Sequence, residues 1–382
     1  MREVLPQLLK WWEAGETVGM GTVIATFQSA PRPPGASMLV GPDASAVGSV
    51  SGGCVEGSVY ESAQEVAGTG EPVLHRYGVS DDDAFAVGLT CGGILDVYIE
   101  RVNRDTFPEL PEIAADIAAG RPVAVATVVE HPDRARMGRR MVIRPSDVVT
   151  SGERSLGSAR VDAAVRDDAL GMLATGHSGT LSYGPSGERR GEGMRVFVWA
   201  FAPPPRMIVF GAIDFAAELA RVGGFLGYRV TVCDARPVFA TASRFPEADE
   251  VVVEWPHHYL AGELQGGRID GRTVVAVLTH DPKFDVPLLE VALRVPEIGY
   301  VGAMGSRRTH EDRMTKLREA GLDEKELARL SSPIGLDLGA RTPEETAISI
   351  AAEIIASRCG GTGQRLRATQ GTIHPAARPL TG

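Results

Sequence analysis

Two cysteines in mirrored glycine settings are the residues of this chain best suited to chemistry. Cys54 lies in Gly48-Ser49-Val50-Ser51-Gly52-Gly53-Cys54-Val55-Glu56-Gly57, and Cys91 in Thr90-Cys91-Gly92-Gly93. Glycine beside a thiol lets the backbone take positive φ, approach a ligand closely and turn N–H groups toward an anion. If Val55–Ala67 is a helix, Cys54 sits at its N-cap, where the helix dipole favours thiolate. Thiolates are soft donors that can hold a metal or relay sulfur. Cys54 and Cys91 are therefore the candidate catalytic and metal-ligating residues, and Gly52, Gly53, Gly92 and Gly93 the backbone that would cradle a ligand. The competing reading is packing, since free cysteines are often small buried hydrophobes and glycine pairs often mark tight turns.

A second set of polar groups lies in the C-terminal half. Gly211-Ala212-Ile213-Asp214-Phe215-Ala216 follows a strand-like run and opens a helix, as a dinucleotide fingerprint would, and Asp234 stands where a ribose-binding carboxylate is expected. Ile213, however, occupies the place of the glycine that lets the backbone reach a pyrophosphate, and its branched side chain obstructs that approach. An NAD(P)-dependent oxidoreductase, with Gly211 and Asp234 as its cofactor loop and His280 as acid–base, is thus an alternative that Ile213 argues against. Further on, Thr279-His280-Asp281 and Gly302-Ala303-Met304-Gly305-Ser306-Arg307-Arg308 end two strands at the carboxyl edge, where open α/β sheets bind ligands. Gly305, Ser306 and Arg307 at a helix start make a phosphate seat, against the plainer reading of a solvated first turn.

These residues need two scaffolds. Val4–Glu13 has helical spacing, Met20–Phe27, Ser37–Val40 and Ala46–Val50 read as strands leading into the Cys54 loop, and Pro72–Tyr77 and Ile94–Val102 as strands flanking the second cysteine. Pro111–Gly120 and Ala159–Ala174 read as helices, and Pro122–Val129, Gly179–Tyr183 and Met194–Phe201 as strands. Between His131 and Arg195 the pattern is otherwise hard to follow. Ala202-Pro203-Pro204-Pro205 is a linker. Beyond it, Met207–Phe210, Tyr228–Cys233, Glu250–Glu254, Thr273–Leu278 and Ile298–Val301 alternate with helical stretches, which predicts a parallel sheet covered on both faces. Thr342-Pro343-Glu344-Glu345 is a capping box opening the last helix. The fold expected is α/β: an α+β domain over 1–202 carrying glycine-flanked cysteine loops, a Rossmann-like doubly wound parallel sheet over 203–358, and a tail from 359 to 382.

Ser29-Ala30-Pro31-Arg32 with Gly35-Ala36, then Gly48 to Gly57, then Gly88-Leu89-Thr90-Cys91-Gly92-Gly93, resemble the XdhC/CoxI family. The resemblance spans nearly the whole chain and departs from the family at Ile213, where a Gly-Ala-Gly-His pattern is usual. It implies an accessory protein of molybdenum hydroxylases of the xanthine and carbon monoxide dehydrogenase type. Such a protein binds the molybdenum–molybdopterin cofactor, the cytosine dinucleotide form being one alternative, protects it during sulfuration and delivers it to the apo-enzyme. The resemblance also implies a cysteine desulfurase as sulfur donor and a homodimer, and it favours Arg32 as an anion contact over a solvated arginine beside a proline turn.

At 382 residues the chain has room for two cores, and 43% hydrophobic with 23% charged residues is ordinary for a globular protein. A net charge of −10 argues against a nucleic-acid surface. Cys54, Cys91, Cys233 and Cys359 form neither a disulfide scaffold nor a zinc clip. No stretch reads as a secretion signal or membrane span, so the expected compartment is the cytoplasm. The aspartates 81–83 read as a solvated turn, and His75, His257, His258 and His310 as structural or surface residues.

Overall fold

The computed structural model describes residues 1–27, 32–78, 93–146 and 155–370. They form two compact units, 1–203 and 204–370, that part within the proline run.

In the first unit α1 (Leu5–Glu13) precedes β1 (Val18–Phe27), β2 (Ser37–Val40) and β3 (Ala46–Gly48), then α2 (Glu56–Thr69), β4 (Val73–Tyr77) and β5 (Ile94–Val102). These five strands make an antiparallel sheet in the order β3-β2-β1-β5-β4. After α3 (Leu110–Ala118) come β6 (Val123–Glu130), β7 (Arg140–Ile143), α4 (Ala159–Thr175), β8 (Gly179–Tyr183) and β9 (Met194–Phe201), whose strands form a second antiparallel sheet, β7-β6-β9-β8.

Side-chain alternation assigns each face a partner. On β5, Leu95, Val97 and Ile99 pack with Val59, Ala63 and Val66 of α2. Tyr98 and Val102 point the other way and meet Val125, Phe197 and Trp199 of the second sheet. The second sheet's opposite face, with Ala124, Ala126, Val196 and Val198, is covered by Val161, Val165 and Ala169 of α4. The unit is therefore a helix-sheet-sheet-helix sandwich, with α1 and α3 contributing to its central core. Charges cross that core as well. Asp96 of β5 accepts hydrogen bonds from Arg76 at 2.6 Å and from Arg195 of β9 at 2.9 Å, and Glu100 pairs with Arg140 of β7. Removing one partner of the Glu100–Arg140 pair, buried on both sides, costs about 3–5 kcal/mol.

Close helix approach is written into β1. A Cβ on Gly19 would lie 2.2 Å from the Ala63 carbonyl oxygen, and one on Gly21 2.6 Å from Val59. Only bare backbone admits α2 at this distance.

The second unit comprises β10 (Arg206–Phe210), α5 (Asp214–Phe225), β11 (Arg229–Asp234), β12 (Glu250–Val253), α6 (Pro256–Gln265), β13 (Val274–Val277), α7 (Pro282–Leu293), β14 (Tyr300–Ala303), α8 (Arg307–Glu319), α9 (Glu324–Leu327), β15 (Leu330–Ser331) and α10 (Pro343–Cys359). Its strands run β12-β11-β10-β13-β14-β15, all parallel. This is the doubly wound order of a Rossmann fold, with the chain reversing direction between β10 and β13. Apolar clusters line both faces. Thr342 and Glu345 cap α10 reciprocally, as the sequence predicts.

The strands β7 and β15 and helix α9 have no counterpart in the expectations above. Cys359-Gly360-Gly361, which echoes the Cys91 motif in sequence, is a helix end: Gly360 takes φ 69°, and the Gly360 and Gly361 N–H groups close onto the Ala356 carbonyl. Among the described residues no helix is long and apolar enough to cross a membrane.

Candidate functional site

The Cys54 loop is built around a carboxylate of its own. One oxygen of Glu56, in the first turn of α2, accepts hydrogen bonds from the N–H groups of Val50 (3.2 Å), Ser51 (2.8 Å) and Gly52 (2.9 Å) and from the Ser49 hydroxyl (2.7 Å). The other accepts from the Gly53 N–H (2.8 Å) and the Ser51 hydroxyl. Burial alone would push this carboxyl upward, but the Ser51 and Ser49 hydroxyls and the backbone donors outweigh it and hold it down at about 2. The Ser51 hydroxyl oxygen in turn accepts from the Cys54 and Val55 N–H groups at 2.9 and 3.0 Å.

Two expectations change as a result. The Gly52 and Gly53 N–H groups do not face outward to a ligand anion, because Glu56 has taken them. Their glycines serve conformation and access instead: φ is 79° and 121°, and no atom lies within 4 Å of where a Cβ would stand. The helix also starts one residue later than expected. Val55 is its N-cap, so Cys54 sits just outside the first turn. Nothing in the residue order had marked Glu56 beyond its place in the motif. The available signal was an acid three residues after Gly53 at a helix start, the spacing of a capping carboxylate.

Cys54 is half-buried and packs on the cluster holding Val55, Val59, Tyr77 and Leu95. Buried Gly93 leads directly into β5, which carries Leu95, so the Cys54 loop and the entry to β5 share one face of the sheet. Cys91 and Gly92 lie outside the described residues, as do aspartates 81–83. Arg32 is turned toward Glu3, with which it pairs at 2.7 Å, and it borders a hollow of about 250 Å³ shared with Trp199. No group of three or more His, Cys, Asp or Glu suited to a metal occurs among the described residues.

In the second unit the remaining candidates stand along the carboxyl edge of the parallel sheet. The Gly211 N–H bonds the Cys233 carbonyl, Leu278 bonds Phe210 and Met304 bonds Val277, which aligns the ends of β10, β11, β13 and β14. Gly211 has φ 115°, and a Cβ there would meet Thr279 at 2.9 Å. Asp234 is 2% exposed and its carboxylate is already engaged, accepting from the Ala212 N–H at 2.8 Å and from Arg236 at 2.7 and 2.9 Å. Burial would raise this carboxyl, but Arg236 and the Ala212 N–H together hold it below the usual range. A ribose hydroxyl would have to displace Arg236 to reach it. His280 is exposed past β13. Beyond β14, Gly305 precedes Ser306, whose hydroxyl caps α8 by accepting from the Thr309 N–H at 3.1 Å. Arg307 and Arg308 are exposed in the first turn, and neither forms an ion pair among the described residues. Cations there oppose the helix dipole, an arrangement that a bound anion would offset.

Beneath this edge is a buried network that sequence reasoning missed. Arg313, 4% exposed, pairs with Asp285 at 3.0 Å and donates to the Met304 carbonyl and the Ser332 hydroxyl, while Thr279 donates to Asp285. It joins the ends of β13 and β14 to α7 and α8. Cys233 is fully buried, and burial with neighbouring Glu254 and Asp234 pushes its thiol far up, which disfavours the reactive thiolate.

Comparison with known proteins agrees with this architecture. Residues 207–354 match the XdhC Rossmann domain, and residues 11–78 and 116–184 match the XdhC and CoxI family. The chain is 28% identical over 348 residues to a probable xanthine dehydrogenase subunit of Bacillus subtilis, covering 91% of this chain and 94% of the relative. It is 27% identical over 344 residues to the molybdenum cofactor insertion chaperone PaoD of Escherichia coli, covering 89% and 84%. A crystal structure described as a xanthine dehydrogenase from Bacillus halodurans superposes with a TM-score of 0.65 at 25% identity, over 96% of this chain and 97% of the other. With both units matched by models of one family, the chain belongs to the XdhC and CoxI family.

Proposed function

We propose that this protein binds the molybdenum–molybdopterin cofactor, protects it while its terminal ligand is sulfurated and inserts it into an apo molybdenum hydroxylase of the xanthine or carbon monoxide dehydrogenase type. The observation that carries this reading is the Cys54 loop. Glu56 fixes the backbone from Val50 to Gly53, two side-chain-free positions leave the approach open, and a half-buried thiol stands at the end of that approach. A preorganised soft donor beside bare backbone suits a molybdenum centre that must be held and then released. Cys54, with Cys91, is the pair we assign to the metal and to sulfur handling, and Gly305, Ser306 and Arg307 are the seat we assign to the cofactor's phosphate, the dinucleotide form included. Two relatives, one named as a cofactor insertion chaperone and the other as part of a xanthine dehydrogenase, support a maturation role. A cysteine desulfurase as sulfur donor, a homodimeric state and a cytoplasmic location complete the reading.

Anaerobic titration of wild type, Cys54→Ser and Cys91→Ser with molybdenum cofactor, followed by activation of an apo-hydroxylase, tests it. Binding by wild type, with at least tenfold weaker binding and lost activation in the Cys54 variant, is the expected result; a tenfold loss corresponds to about 1.4 kcal/mol. Equal binding and activation by all three proteins would reduce the cysteines to packing residues.

A further inference from the structure

Helix α10 is apolar on two sides. Ala347, Ile350 and Ile354 pack inward, in one cluster with Met207, Val209 and Val230 of the parallel sheet. On the outer side Ile348 is 53% exposed and Ile355 38%, with the half-covered Ala352 between them and the exposed Cys359 beyond. A surface helix ordinarily turns charged and polar residues outward, and a helix that is hydrophobic all round is a buried one. The outer residues 348, 352, 355 and 359 are spaced by four, three and four, which is the seam of a packed helix pair. No other part of the described chain covers that seam.

The order of residues along the seam identifies what covers it, because the pattern is complementary to itself when reversed. A two-fold axis at right angles to the helix, between residues 351 and 352, brings Ile348 of one copy onto Ile355 of the other, and the converse. Ala352 then lies at the axis, where a small side chain lets two helices approach closely. The charges obey the same register. Glu344 stands in the acidic first turn of α10 and Arg358 in its basic last turn, and the axis sets one opposite the other. Arg358 gives one N–H to the Tyr228 hydroxyl at 3.3 Å and keeps the rest of its fork for a carboxylate. Parallel pairing would instead set Glu344 against Glu344 and Arg358 against Arg358, which like-charge repulsion disfavours.

We propose that the outer face of α10 is an interface with a second copy of this chain, formed by antiparallel pairing across Ile348, Ala352 and Ile355. The inference rests on the homodimeric state assigned above and names its surface. Sedimentation of the full chain at micromolar concentrations tests it. Wild type is expected to be a dimer, and Ile348→Asp and Ile355→Asp, at exposed positions the fold does not need, each to weaken self-association at least about tenfold. Glu344→Arg should weaken it as well, and adding Arg358→Glu to that variant should restore it, since the exchange returns the opposed charges. Register has its own readout. The two Cys359 thiols of such a pair lie about 22 Å apart along the helices, so wild type should form no disulfide between them. Glu344→Cys, whose new thiol falls opposite Cys359 of the other copy, should give a covalent dimer on oxidation with copper–phenanthroline. A dimer indifferent to every α10 variant would overturn the proposed surface and leave the homodimer standing, whereas a monomeric wild type would overturn both. A monomer whose Ile348→Asp variant fails to activate a hydroxylase would give the face to that enzyme and overturn the proposal equally.

Discussion

Glu56 decides how the candidate site works, because one carboxylate stands in for the external anion that a glycine-rich loop usually recruits. Its ordinary value near 4.5 falls to about 2 in the fold. The stabilisation it contributes is therefore complete above the unfolded-state value and lost as pH falls through the folded one. Replacing it by glutamine, which keeps one acceptor and removes the charge, is expected to cost about 1–3 kcal/mol at neutral pH. Urea unfolding read at pH 7 measures this. Repeated between pH 5 and 2, the difference between wild type and Glu56→Gln should shrink steadily as the native carboxylate approaches half protonation. A gap that stays constant down to pH 2 would mean that the charge is not what organises the loop. The same variant should weaken cofactor binding with Cys54 untouched, since the thiol is then presented from a loosened backbone.

Position of the loop, as opposed to its shape, is set by α2 lying on β1. Gly19 and Gly21 permit that contact, and Gly19→Ala would drive a methyl group into the Ala63 carbonyl. Overpacking of this kind costs about 1–3 kcal/mol, and the helix must shift to relieve it. A lowered urea midpoint together with weakened cofactor binding is the expected outcome, although the substitution lies on a different element from the cysteine. Gly57 makes the reverse case. It is exposed on α2 with no atom near a would-be Cβ, so Gly57→Ala should stabilise the protein by up to about 1 kcal/mol. Thermal melts of the two variants, moving in opposite directions, would separate close approach from backbone freedom as the reason for glycine. Legibility in the sequence follows the same division. Ser37–Val40 and Met194–Phe201 were readable to the residue, because short runs of apolar and strand-forming residues between turn signals are a local property of the chain. β7 was not, since Arg140 opens it and only a charge partner from β5, Glu100, makes that arginine an interior residue.

At the scale of the molecule, the parallel order of the second unit followed from the spacing of apolar runs, while what the unit can bind did not. Gly211, Ile213 and Asp234 look in sequence like a dinucleotide fingerprint with one flaw. In the fold the flaw is compounded. Ile213 is the N-cap of α5 with extended backbone, and Asp234 is spent on the Ala212 N–H and on Arg236. The ribose carboxylate is thus already engaged by groups of the chain itself, and the place of the middle glycine holds a branched residue. A ligand at 100 times its Kd adds about 2.7 kcal/mol of stability, which a thermal melt resolves easily. NADH and NADPH at millimolar concentration are accordingly expected to leave the melting temperature of wild type unchanged. Ile213→Gly combined with Arg236→Ala, which reopens the approach and frees Asp234, should then gain a measurable upward shift if the Rossmann order is otherwise intact. A shift already present in the wild type would show that a dinucleotide displaces Arg236 unaided, and would return the second unit to the oxidoreductase reading.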